Sequence, residues 1–195
     1  GIGTTDPLEE IIELADMHNC RVHVDAAYGG YFILANNLAS ETRTSFNSIH
    51  KADSVVVDPH KHGLQPYGCG CVLFKDPEVG AYYKHDSPYT YFSSDDLHLG
   101  EISLECSRAG ASAVALWATQ QLMPLTDGSN FAKAISLCRN AACDLHSRLD
   151  ADDRFLTVVA PELDIVLWAP TDGNASVIST LSRKMFDNAA ARNLH

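Results

Sequence analysis

Apolar residues in this chain fall into two patterns: short unbroken runs, and longer stretches where they recur every three or four positions. The densest run is Val55-Val56-Val57, closed by Asp58-Pro59. Three β-branched residues without polar alternation predict a buried strand of the parallel type. Proline cannot continue a central ladder, so the strand ends there and His60-Lys61-His62-Gly63 forms a tight turn. A second strand, Cys20 to Asp25, also ends in an aspartate, followed by the small-residue turn Ala26-Ala27-Tyr28-Gly29-Gly30. A third strand is predicted at Gly70 to Phe74. Leu8, Ile11, Ile12 and Ala15 give a helical stripe. Asp6 is placed to cap that helix, Pro7 to occupy its first turn, and Glu9 and Glu10 to meet the positive end of its dipole.

Further along, residues 34–46 read as irregular chain with a short helix, and Glu78 to Lys84 as another. Ala109 to Met123 reads as a buried helix and Phe131 to Leu149 as a longer amphipathic one. Phe155 to Val159 and Leu163 to Trp168 read as strands joined by Ala160-Pro161-Glu162, and Val177 to Phe186 as a closing helix. Strand and helix alternate in the first half, which predicts an α/β fold with a mostly parallel sheet. The stretch 86–96 has loop chemistry with Tyr89, Tyr91 and Phe92 embedded, the composition of a segment that covers a site or meets a partner.

Composition narrows the function classes. Of 195 residues, 46% are hydrophobic and 20% charged, ordinary for a domain with a real core. Fourteen basic against 25 acidic residues leave a net charge of −11 and no basic stripe, which argues against nucleic acid and anionic membranes as partners. No apolar run reaches the roughly 18 residues of a membrane span. The six cysteines are scattered and predict free core thiols in a reducing cytosol. Cys69 and Cys71 are two apart, on one face of a strand. Both ends of the chain are abrupt, so it reads as part of a longer protein.

The chemistry centres on two strand ends. If the strands are neighbours, Asp25 and Lys61 converge at the carboxyl edge of the sheet, where open α/β sheets place their ligands. A lysine held there beside histidines and partly out of water has a lowered amine pKa and can attack a carbonyl to form a Schiff base. A buried Asp25 needs a partner, which a protonated pyridine nitrogen would supply, and Ala27 leaves room for a flat ring. These are the requirements of pyridoxal phosphate. Other readings of the same residues stay open. His23, Asp25, His60 and His62 could form a metal site for a hydrolase. His62 could contact phosphate or substrate, or only shape the turn. Arg108 could be a surface ion-pair residue, and Tyr89 and Tyr91 interface aromatics. His23 reads as a core histidine facing away from Asp25, and His85 and His98 as solvated.

His23-Val24-Asp25-Ala26-Ala27-Tyr28-Gly29-Gly30 followed by Asp58-Pro59-His60-Lys61 resembles the group II pyridoxal-phosphate-dependent amino acid decarboxylases. Asp6-Pro7-Leu8-Glu9-Glu10-Ile11 and Ser107-Arg108-Ala109-Gly110 extend the likeness over residues 3–125. The resemblance implies a fold-type-I, aspartate-aminotransferase-like architecture. Residues 1–128 would be the C-terminal half of its large domain, and 129–195 a linking helix and the start of the small α+β domain. It implies a cytoplasmic homodimer that decarboxylates an L-amino acid, with a carbon–carbon lyase on the same cofactor as the alternative. By resemblance, Lys61 carries pyridoxal phosphate, Asp25 meets the ring nitrogen, Ala27 lies against the ring and His60 sits near the phosphate. Tyr89, with Tyr91 as rival, would return a proton, and Arg108 would meet the substrate carboxylate. His62 departs from the family pattern and makes the wall beside the lysine more polar, and Asp58 stands where the family often has a small or amide residue. The phosphate cup and the ring-stacking histidine belong to a part of the family not represented here, and Gly3-Thr4-Thr5 is not the family's active-site Gly-Thr-Thr.

Overall fold

The computed structural model describes residues 1–84 and 110–194. Three strands form the first sheet: β1 (His23–Asp25), β2 (Ser54–Val57) and β3 (Cys71–Phe74), in that order. β1 and β2 are parallel, with Asp25 opposite Val56, whereas β3 runs antiparallel to β2, with Cys71 opposite Val57. The sheet is therefore mixed. A chain returning directly from the lysine turn at one strand end can only pair antiparallel, because a parallel return needs a crossover. A separate hairpin joins β4 (Phe155–Thr157) to β5 (Trp168–Pro170).

Among the described residues the helices are α1 (Leu8–His18), α2 (Ser40–Ser48), α3 (Ala111–Leu122), α4 (Asn130–Asp150) and α5 (Ala175–Ala191). Short stretches of 3₁₀ helix cover Gly30–Leu34, Ile49–Lys51 and Pro77–Tyr83. Pro7, not Asp6, occupies the cap of α1, and no side chain caps it. The same helix ends on Asn19, a residue that tolerates its left-handed φ of 50°. Ser129 caps α4 through the Ala132 N–H at 3.1 Å, and Asn174 caps α5 through the N–H groups of Ser176 and Val177.

The core gathers Tyr31, Phe32, Ala35 and Phe46 from the first half of the chain with Phe131, Ile135 and Leu163 from the second. Phe32 is fully buried. The stretch 34–46, expected to be irregular with a short helix, thus supplies Ala35 and Phe46 to the packing, beside Tyr31 and Phe32. A second tie is polar. The Glu162 carboxylate accepts hydrogen bonds from the N–H and hydroxyl of Thr5 and from the Thr42 hydroxyl, while the Arg139 Nε donates to the Glu162 carbonyl at 2.8 Å. Those bonds, with Ile165 packed on Gly3, hold the stretch before β5 against the N-terminal segment.

Three expectations are corrected here. α3 is helical but none of its residues is buried, and Trp117 is 63% exposed; its alanine and leucine content fixes helicity, not what covers it. The run from Leu163 is not a strand: Leu163 enters the core and pairing begins only at Trp168. Among the cysteines described, Cys69 is buried while Cys20 and Cys138 are exposed, and all are free thiols.

Candidate functional site

The two motif turns meet at the carboxyl edge of the β1–β2 pair. β1 and β2 are in parallel register, so Asp25 and the turn after Val57 leave the sheet on the same side. Asp25 Oδ1 accepts the Ala27 N–H at 3.1 Å. The Ala27 carbonyl accepts the Asp58 N–H at 3.0 Å. Asp58 Oδ2 then pairs with Lys61 Nζ at 2.8 Å. A continuous path of hydrogen bonds thus runs from Asp25 to Lys61 through Ala27 and Asp58.

The turn itself is rigid. Pro59 is fully buried. The N–H groups of Lys61 and Gln65 donate to the carbonyls of Asp58 and Pro59. A Cβ on Gly63 would lie 2.5 Å from the Tyr31 hydroxyl and 2.6 Å from Pro59 Cα, so glycine is required by close approach. His60 Nδ1 lies on the Cys69 carbonyl, which has only lone pairs, so that nitrogen carries the proton. Its Nε2 is 3.8 Å from Asp58 Oδ2, and its ring packs on Tyr67.

Two expectations about the strand residues change. Asp25 is exposed, not buried. His23 does not face away from it: residues two apart share a strand face, and both are exposed, with His23 Nδ1 bound to the Ser54 hydroxyl at 2.8 Å. The histidines also do not converge on a metal. His23 meets Ser54, His60 meets Cys69 and His62 meets Asp164. Among the described residues no group of three or more His, Cys, Asp or Glu could hold an ion. Lys61, His60, Asp25 and Ala27 lie together at this edge; Tyr89, Tyr91 and Arg108, with His85 and His98, lie outside the described residues.

Behind Lys61 is a cluster not foreseen from the sequence. His62 Nε2 bonds Asp164 Oδ2 at 2.9 Å, His62 Nδ1 bonds the Tyr28 carbonyl at 3.0 Å, and the Tyr28 hydroxyl donates to Asp164 Oδ1 at 2.9 Å. The hydrogen bond to Asp164 raises the His62 pKa above its ordinary 6.5, against the opposing effect of burial. Burial opposes ionisation of Asp164, but the bonds from His62 and Tyr28 outweigh it and hold the carboxyl below its usual range. Burial, then the bond to Asp164, pushes the Tyr28 phenol up to about 12. The available signal was Asp164 itself, a lone carboxylate in the apolar run Leu163-Asp164-Ile165-Val166, which has to find a partner.

This donor set fits pyridoxal phosphate. Lys61 offers a primary amine at the sheet edge. Asp25 has one oxygen committed to Ala27 and, among the described residues, the other without a partner, an acceptor for a ring N–H. The small Ala27 side chain lies between them in sequence and is only partly buried.

Comparison with known proteins agrees. Residues 1–169 match the pyridoxal-dependent decarboxylase conserved domain, and the chain belongs to that family. It is 31% identical over 168 residues to a probable L-tyrosine/L-aspartate decarboxylase of Methanothermobacter thermautotrophicus, covering 86% of this chain and 44% of the relative. It is 39% identical over 108 residues to aspartate 1-decarboxylase of Aliivibrio fischeri, covering 55% and 19% respectively. Among solved structures, Oryza sativa TDC with PLP and tryptamine superposes with a TM-score of 0.79 at 19% identity, over 96% of this chain and 40% of that one. The glutamate decarboxylase domain of a Vibrio parahaemolyticus protein gives 0.73 at 21% identity, over 97% and 35%. The fold is thus that of the fold-type-I pyridoxal-phosphate enzymes. The chain spans less than half the length of these relatives.

Proposed function

We propose that this chain carries the lysine-bearing half of a pyridoxal-phosphate-dependent L-amino acid decarboxylase. Residues 1–128 form the C-terminal part of the cofactor domain, and 129–195 the linking helix and the start of the small domain. The observation that carries the reading is the bonded path from Asp25 through Ala27 and Asp58 to Lys61. It gives a carboxylate and an amine one rigid frame, at the edge where such sheets take ligands.

Lys61 would hold the cofactor's aldehyde, Asp25 its ring nitrogen, Ala27 a ring face, and His60 would lie near its phosphate. Bound pyridoxal phosphate supplies an electron sink for the pair left when carbon dioxide departs. Asp25, as an ionised carboxylate, keeps a proton on the group it accepts from. Asp58 holds the Lys61 ammonium, so the amine becomes a nucleophile only when that pair opens and the proton leaves. Tyr89, or Tyr91, returns a proton to the substrate carbon, and Arg108 orients the substrate carboxylate. The substrate is a free amino acid, and a homodimer in the cytoplasm is the expected assembly. Among the described residues no helix is long and apolar enough to cross a membrane.

The test is carbon dioxide release by the whole protein across a panel of L-amino acids, with Lys61→Ala as control. Release lost in Lys61→Ala supports the reading. Carbon–carbon cleavage without carbon dioxide would assign a lyase instead. No cofactor-dependent turnover at all would overturn it.

A further inference from the structure

The residue after the lysine is more firmly held than the lysine. His62 is bonded at both ring nitrogens, and both partners accept. Nδ1 faces the Tyr28 carbonyl, which has only lone pairs, so it carries a proton. Nε2 faces Asp164 Oδ2, and Asp164 already accepts the Tyr28 hydroxyl on its other oxygen, so Nε2 carries a proton too. Two donating nitrogens make an imidazolium. Its side chain is 13% exposed and that of Asp164 15%, so solvent screens the pair only weakly. Tyr28 and Phe32 stand edge-on to the ring, with centroids at 4.6 and 5.1 Å.

This joins three distant stretches. Tyr28 follows Ala27, whose carbonyl receives the Asp58 N–H. His62 follows Lys61. Asp164 comes from the segment between β4 and β5, 102 positions away. Of the charged groups around the imidazole, Asp164 attracts it and Lys61 repels it. Cys138 of α4 acts on the Tyr28 phenol, and Asp58 is engaged by Lys61.

We propose that His62 is a positioning residue for Lys61, clamped as a cation between Asp164 and the Tyr28 carbonyl, so that the segment bearing Asp164 sets where the lysine turn lies. This rests on the reading of Lys61 as the cofactor lysine. The clamp involves no bond making or breaking. It acts by removing freedom from the residue next to the amine, and misplacing a reacting group is costly.

The experiment has two arms on the whole protein. In the first, the ring-proton NMR signal of His62, assigned with His62→Gln, is followed against pH. The account expects a midpoint above that of ordinary histidine, a fall toward it in Asp164→Asn, and recovery in Asp164→Glu, which restores the charge. In the second, pyridoxal phosphate is trapped with borohydride and the Lys61 peptide quantified. At neutral pH, Asp164→Asn should lower trapping by about tenfold relative to the native protein. Trapping in Asp164→Asn should approach that of the native protein as the pH falls and His62 regains its proton, a profile that simple loss of packing would not produce. An ordinary His62 midpoint in the native protein, or trapping in Asp164→Asn equal to native at every pH, overturns the clamp. Absence of any native adduct on Lys61 overturns instead the cofactor reading on which it rests.

Discussion

The Asp58 backbone N–H donates to the Ala27 carbonyl at 3.0 Å, tying the turn after β2 to the turn after β1. Those turns hold the lysine and the carboxylate of the proposed site. Because the bond is backbone to backbone, the frame does not depend on the identity of Asp58; its side chain is free for a second task, the 2.8 Å pair with Lys61 Nζ. Frame and charge control can therefore be separated by substitution.

Asp58→Asn keeps the backbone bond and removes the charge that holds the Lys61 ammonium. The pair is partly exposed, with the lysine side chain at 36%, so the effect is modest. Trace acetylation of Lys61, measured by peptide mass spectrometry against Lys75, should rise roughly 1.5- to 5-fold, the range of an exposed pair. An unchanged ratio would show that Asp58 does not restrain the amine.

The His62–Asp164 pair makes stability depend on pH at two ends. The folded-state pKa of His62 is raised, so its contribution is complete below the unfolded value of 6.5 and is lost as pH climbs through the higher folded value. The folded-state pKa of Asp164 is lowered, so its contribution is present above the unfolded value of 3.8 and is lost as pH falls through the lower folded one. The stability of the native protein against urea should fall on the alkaline side of 6.5. Asp164→Asn should flatten that slope.

Gly63 is fixed by contact on both sides. An alanine Cβ would sit 2.6 Å from Pro59 Cα, a backbone atom that cannot swing away. Gly63→Ala should cost about 1–3 kcal/mol in urea unfolding, as overpacking does. It should also displace the lysine turn, read as slower labelling of Lys61. Native stability would contradict the rigid-turn account.

Phe32 has no exposed surface and sits where the first and second halves of the chain share a core. Phe32→Ala should destabilise by about 3–5 kcal/mol. Both halves should lose protection together in hydrogen exchange. Loss confined to one half would mean that Phe131, Ile135 and Leu163 form a separate unit.

What the sequence revealed was mostly local. α4 was legible from its long amphipathic stripe over Phe131 to Leu149, and the structure adds its cap, Ser129. The edge shared by Asp25 and Lys61 was legible because two apolar strands end alike and neighbouring strands in such folds run parallel. The antiparallel β3 was not, since strand direction follows from how the chain returns rather than from the strand's residues. Leu163 to Leu167 has the composition of a strand, yet Leu163 is drawn into the core and Asp164 onto His62. No local pattern links residues 102 positions apart, so the Tyr28–His62–Asp164 cluster emerges only in three dimensions. His23 was misplaced by geometry that the sequence did contain: residues two apart on a strand share a face.

The central claim is that Lys61 is the cofactor lysine. Its most direct test is to incubate the whole protein with pyridoxal phosphate, reduce with borohydride and map the labelled peptide. The account predicts a single adduct on Lys61, absent in Lys61→Ala and weakened in Asp25→Asn. Label spread over Lys51, Lys75 and other lysines, and undiminished in Lys61→Ala, would contradict it.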